Sequence, residues 1–150
     1  MKLAEALVAR ADAQRRLGQL QDRLRKAALV QEGTDPSEDP QELLRESERV
    51  IESLEKLIRR INATNSATAF DEHWTLTDAI AARESAQRRV HLYSQLAQDA
   101  TPETRYRASE LRSIPTIDVR DIRARADAAA KQHRELDTKI QQLNWSVDLL

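Results

Sequence analysis

The chain has 150 residues, one domain's worth, with 33% charged and 3% aromatic residues, two glycines, and 25 acids against 24 bases. This near-neutral balance removes any global argument for nucleic acid or membrane, and no apolar run approaches the roughly 20 residues of a membrane span. The lack of cysteine excludes disulfides and thiolate metal sites and suits a cytoplasmic protein. Many charges with few aromatics can mark disorder, but 40% of the residues are hydrophobic and they recur at helical spacing, which decides for a folded all-α chain.

The first predicted helix, over about 2–31, carries Leu3, Ala6, Leu7, Ala13, Leu17, Leu20, Leu24 and Ala27 as a coiled-coil-like seam interrupted by Arg10. Gly33 follows as its expected left-handed stop, while Gly18 sits within it and off the seam. After "TDPSEDPQE", Asp39 is a good N-cap, with Pro40 at the first helical position and Glu42 at the third. The second helix, about 40–64, has the strongest stripe: Leu43, Leu44, Val50, Ile51, Leu54, Leu57, Ile58 and Ile61. Thr75 and Asp78 have capping-box spacing and open the third helix, about 76–100. Asp118 caps the fourth, about 118–147, where Val119, Ile122, Ala126, Ala129, His133, Leu136, Ile140, Leu143 and Val147 step by threes and fours. At 1.5 Å per residue each helix is about 35–45 Å long. The expectation is one helical-bundle domain, 1–150, built as two antiparallel hairpins running up-down-up-down, with a short extended insert at 105–118.

Such a topology sorts the loops onto two ends. One end gathers "RINATNSAT", the start of the third helix, the N-terminus and "NWSVDLL". Asn62, Asn65, Thr68, Thr75, Thr77, Asp78, Asn144 and Trp145 are therefore a candidate polar cluster, with ordinary capping and turn chemistry as the plainer account. The other end brings the acidic 31–40 loop towards Arg105, Tyr106, Arg107 and Arg112, the candidate assembly contacts. His133, alone on the fourth seam, is either a register-setting or pH-sensitive group or simply a hydrogen-bonded or partly exposed histidine.

Chemistry has little support. The histidines lack the Glu-x-x-His and His-Glu-x-x-His spacings of metal bundles and zinc proteases, so no metal and no cofactor are expected. Glycine-rich phosphate loops and Gly-x-Ser-x-Gly are absent, leaving no catalytic residues to name. Residues 1–30 hold seven bases against three acids, while residues 31–60 hold five against nine. Adjacent helices of opposite sign attract each other and leave no basic face for nucleic acid.

Four strings, "MKLAEALVARADAQRRLGQL", "VQEGTDPSEDPQELL", "RINATNSAT…TLTDAIAAR" and "ELDTKIQQLNWSVDLL", together resemble the septicolysin-like family of small helical bacterial proteins. The carrying motifs are Arg60-Ile61-Asn62 with Thr64 and Asn65, Thr75 to Ala79, and Asn144-Trp145; Gly18 departs from the charged residue the pattern has there. The resemblance implies an all-helical homo-oligomer, and its name a pore-forming activity for which the chain shows no apolar segment. The leading expectation is a non-enzymatic, self-assembling, partner-binding bundle. A membrane-active protein is the first alternative, and a small-molecule binder or enzyme using the Asn/Thr/Trp end is the second. A thin, alanine-rich, aromatic-poor interior with leftover leucines such as Leu43 or Leu44 independently points to homo-oligomerisation.

Overall fold

The computed structural model describes residues 1–102 and 111–150. It is all-α, with helices α1 (Leu3–Ala27), α2 (Pro40–Ala67), α3 (Leu76–Asp99) and α4 (Val119–Ser146). Among the described residues there is no strand, only an isolated antiparallel bridge between Lys2 and Asp148. The chain divides into two contact-dense units, Met1–Ala69 with Leu143–Leu150, and Phe70–Gln142. The last turn of α4 therefore belongs by its contacts to the first unit, although the helix begins in the second.

In the first unit α1 and α2 form an antiparallel hairpin. Leu20, Ala27 and Leu43 make its buried cluster, with Leu24 and Val50 packed against them. Arg16 pairs with Glu46 and Arg23 with Glu38, so the opposite charges of the two helices meet across the hairpin. Asp39 caps α2 by accepting from the Gln41 N–H at 2.9 Å, ahead of Pro40, whose missing N–H costs nothing at that position. Burying a leucine such as Leu20 contributes about 1.5–3 kcal/mol, whereas each exposed ion pair contributes only about 0–1.

Two helix ends move from their predicted places. The first helix stops at Ala27, four residues early, with Ala28 in right-handed geometry. Gly33 instead occupies the third position of a turn closed by the Thr34 N–H on the Gln31 carbonyl at 3.0 Å, with φ at +81°. That turn needs its positive φ, which is a different duty from a helix stop. The second helix runs on to Ala67, and along it Ser47, Thr64 and the C-cap Thr68 return their hydroxyls to carbonyls four residues back at 2.7–2.8 Å. Such return bonds satisfy the hydroxyls within the helix, so short polar residues do not by themselves mark its end.

In the second unit α3 and α4 are antiparallel. Arg83, early in α3, meets Asp137, late in α4, at 2.7 Å, and at the other end Arg123 donates to Thr101 at 3.4 Å. The buried side chains are mostly small: Ala79, Ala86, Ala97, Ala126 and Ala129, with Leu76, Ile122 and Ile140. Thr75 and Asp78 form the expected capping box, and Asp118 caps α4 by accepting from Arg120 and Asp121 N–H at 2.9 and 3.2 Å. Of the extended insert, residues 111–118 are non-helical, with Leu111 and Ile114 exposed; residues 105–110 lie outside the described set.

Candidate functional site

The densest long-range polar arrangement in the first unit joins the beginning of α1, the end of α2 and the residues after α4. Leu3 N–H donates to Val147 O at 3.0 Å, and Leu149 N–H donates to Met1 O at 2.9 Å. Lys2 extends its ammonium to Asp148 at 2.9 Å and to the Ser146 carbonyl at 3.0 Å. Thr64, 1% exposed, donates to Arg60 O at 2.8 Å and accepts from Leu150 N–H at 3.0 Å. Arg60 Nε donates to Leu150 O at 2.6 Å. Residues 147–150 therefore lie as a strap in a seat made by Met1–Leu3, Arg60 and Thr64. The hydrogen bond and nearby charge of Lys2 hold Asp148 below the usual aspartate range.

Of the eight residues in the candidate polar cluster, Asn62, Asn65, Thr68, Asn144 and Trp145 fall in this unit. Thr68 is the C-cap of α2, its N–H on Thr64 O. Asn62 is exposed and Asn65 half-buried, both inside α2. Asn144 is buried, while Trp145 is 63% exposed, so its indole faces solvent. The hub is Thr64, which lies between the two asparagines singled out from sequence. Its i, i+4 spacing with Arg60 and Thr68 was the available signal. Lys2 and Asp148 sit at opposite ends of the sequence, and neither alone announces the pairing.

Thr75, Thr77 and Asp78 belong to the second unit. The Asp78 carboxylate accepts from both the hydroxyl and the N–H of Thr75, at 2.7 and 2.8 Å, which lowers its pKa. Just before them, Asp71 accepts from the N–H groups of His73 and Trp74 at 2.8 Å each, which lowers its pKa as well. Phe70 carries the Lys139 ammonium 4.2 Å from its ring centre and stands 6.4 Å from the Trp74 ring. His133 is half-buried on α4, and its charge is a minor contributor to the lowered pKa of Asp137, which is chiefly set by the hydrogen bond from Arg83. Arg112 is exposed, while Arg105, Tyr106 and Arg107 lie outside the described residues.

Thr64, Asp71 and Asp78 accept from backbone N–H groups and so order turns and helix ends. Among the described residues no buried side-chain nitrogen or oxygen lacks a hydrogen-bond partner, and no three metal-ligating side chains converge. The low carboxylate pKa values arise from helix caps, turns and ion pairs, all of which favour the ionised form and offer no proton to a substrate.

An all-α protein of two helical hairpins, with residues 1–3 bonded to residues 146–150, is the class that this geometry defines. The chain belongs to a family of unknown function (DUF6847), whose model matches residues 10–149. It is also similar to a functionally unknown conserved protein from Corynebacterium diphtheriae, whose crystal structure gives a TM-score of 0.94 at 46% identity, covering 100% of this chain and 99% of that one. No curated protein matches it.

These findings overturn the resemblance to the septicolysin-like family. Its strongest strings carry local helix-end chemistry: "TLTDA" is the capping box of α3, and "RINAT" includes the hydroxyl return of Thr64 to Arg60. Such chemistry recurs wherever helices begin and end, so it does not specify ancestry. The pore-forming expectation rested on that resemblance and goes with it. Among the described residues no helix is long and apolar enough to cross a membrane.

Proposed function

We propose that the protein performs no reaction of its own and works by association, first with further copies of itself. The observation that carries this is the row of aliphatic side chains left on helix faces: Leu44 and Ile51 on α2, 45% and 46% exposed, and Leu92 and Leu96 on α3, 59% and 38% exposed. Seven- and four-residue spacings put each pair on one side of its helix. At about 25 cal/mol per Å², a half-exposed leucine forgoes on the order of 1 kcal/mol that a docking surface would recover. The small side chains of the α3/α4 interior support the same reading, because a thin core leaves larger aliphatics outside it.

Lysine substitutions at Ile51 and Leu92 test the reading. Each should raise the monomer fraction measured by light scattering while the helical circular dichroism stays unchanged. Unaltered mass distributions in both variants would remove these rows as the basis of association.

A further inference from the structure

Each unit carries one of the exposed aliphatic rows, and the charges beside the two rows are opposite in sign. On α2, Glu48 stands four residues after Leu44 and three before Ile51, and Glu55 follows Ile51 by four. Those spacings put the carboxylates on the same side of the helix as the row, and Glu52 widens the acidic edge. The ion pairs of α2 take up Glu42, Glu46 and Glu55, and leave the exposed Glu48 and Glu52 with no ion-pair partner among the described residues. On α3, Arg88 and Arg89 precede Leu92 by four and three residues and flank it on either side, and Leu96 follows by four. Glu84 reaches Arg88 only at 3.6 Å, and the exposed Arg89 has no ion-pair partner among the described residues. Asp99, two turns beyond Leu92, accepts from the Gln95 amide at 3.0 Å.

Two α2 rows face to face would set carboxylate against carboxylate, and two α3 rows guanidinium against guanidinium. An α2 row against an α3 row pairs opposite charges around an apolar centre. The chain thus carries both halves of one complementary surface, and the partner that brings the missing half is a second copy. We propose that the Leu44/Ile51 row on α2 of one copy docks on the Leu92/Leu96 row on α3 of another, with Glu48 and Glu52 facing Arg88 and Arg89. This pairing rests on the self-association reading and adds to it which surfaces meet. The aliphatic contact supplies the affinity, while the exposed charges select the partner surface and add little strength of their own. Because the two surfaces differ, a single contact leaves one row free on each copy, and assembly continues beyond a dimer unless it closes on itself.

Charge reversal in full-length chains tests the pairing. One variant carries Glu48→Lys with Glu52→Lys, the other Arg88→Glu with Arg89→Glu. All four side chains are exposed, and circular dichroism checks that the helices are kept. Sedimentation equilibrium is run on wild type, on each variant alone, and on an equimolar mixture of the two variants. Alone, each variant sets like charges against each other, and its self-association should weaken about tenfold or more. In the mixture both possible contacts again join opposite charges, one of them the natural pair, and association should return close to the wild-type level. A mixture as monomeric as its components, or either variant associating alone as wild type does, overturns the pairing. Should a double variant misfold, the single reversals Glu48→Lys and Arg89→Glu, alone and mixed, ask the same question. Wild type that associates while the variants alone are unaffected refutes the α2–α3 contact and leaves the broader reading in place; wild type that stays monomeric removes both.

Discussion

Gly18 sits within α1, and no heavy atom lies within 4 Å of where a Cβ would stand. Glycine there only loosens the helix, so Gly18→Ala should stabilise the protein by about 0.5–1 kcal/mol in a urea titration. Gly33 has equal space but φ at +81°, a conformation that costs an L-residue about 1 kcal/mol, so Gly33→Ala should destabilise. The contrast separates backbone conformation from crowding. Thr64 shows the third kind of residue effect. Thr64→Val keeps the shape but removes the acceptor of the Leu150 N–H, and should cost about 0.5–1.5 kcal/mol. Asn62→Ala, at an exposed helical position, should stay within about 0.5 kcal/mol of wild type. Amide exchange at Leu150 should speed up in the first variant and not in the second.

Helix by helix, the caps matter most. Asp78 has a folded-state pKa below that of an unfolded aspartate because Thr75 donates to its carboxylate from hydroxyl and backbone. A depressed carboxylate contributes its stability in full above the ordinary aspartate range, about pH 4, and loses it as pH falls through the lowered value. Asp78→Asn should therefore be less stable than wild type at neutral pH, and the difference should close in acid. A difference that does not shrink at all as the solution is acidified through the range where Asp78 takes up its proton would show that the charge is not responsible. This cap was legible from sequence, as were those at Asp39 and Asp118, because capping acts over three residues and leaves a local signature. The end of α2, within a run of short polar residues, was not. Thr64 and Thr68 look identical in sequence whether they end a helix or extend it, and only the unbroken hydrogen bonds to Arg60 and Thr64 decide.

For the whole molecule, four helices could be read from the three- and four-residue spacing of Leu, Ile, Val and Ala, since burial imposes that period on any amphipathic helix. The strap could not be read in the same way. Lys2 with Asp148, and Thr64 with Leu150, are pairs whose partners are far apart along the chain and whose contacts run through backbone atoms common to every residue. Ancestry was misjudged for the opposite reason, because locally convincing strings proved to be helix-end chemistry.

Self-association is the central claim, and its most direct measurement is solution mass by sedimentation equilibrium from micromolar to several hundred micromolar protein. The account predicts a weight-average mass rising with concentration above the 17.1 kDa of one chain towards twice that value or more. A mass that stays at that of a single chain across the whole range would contradict it.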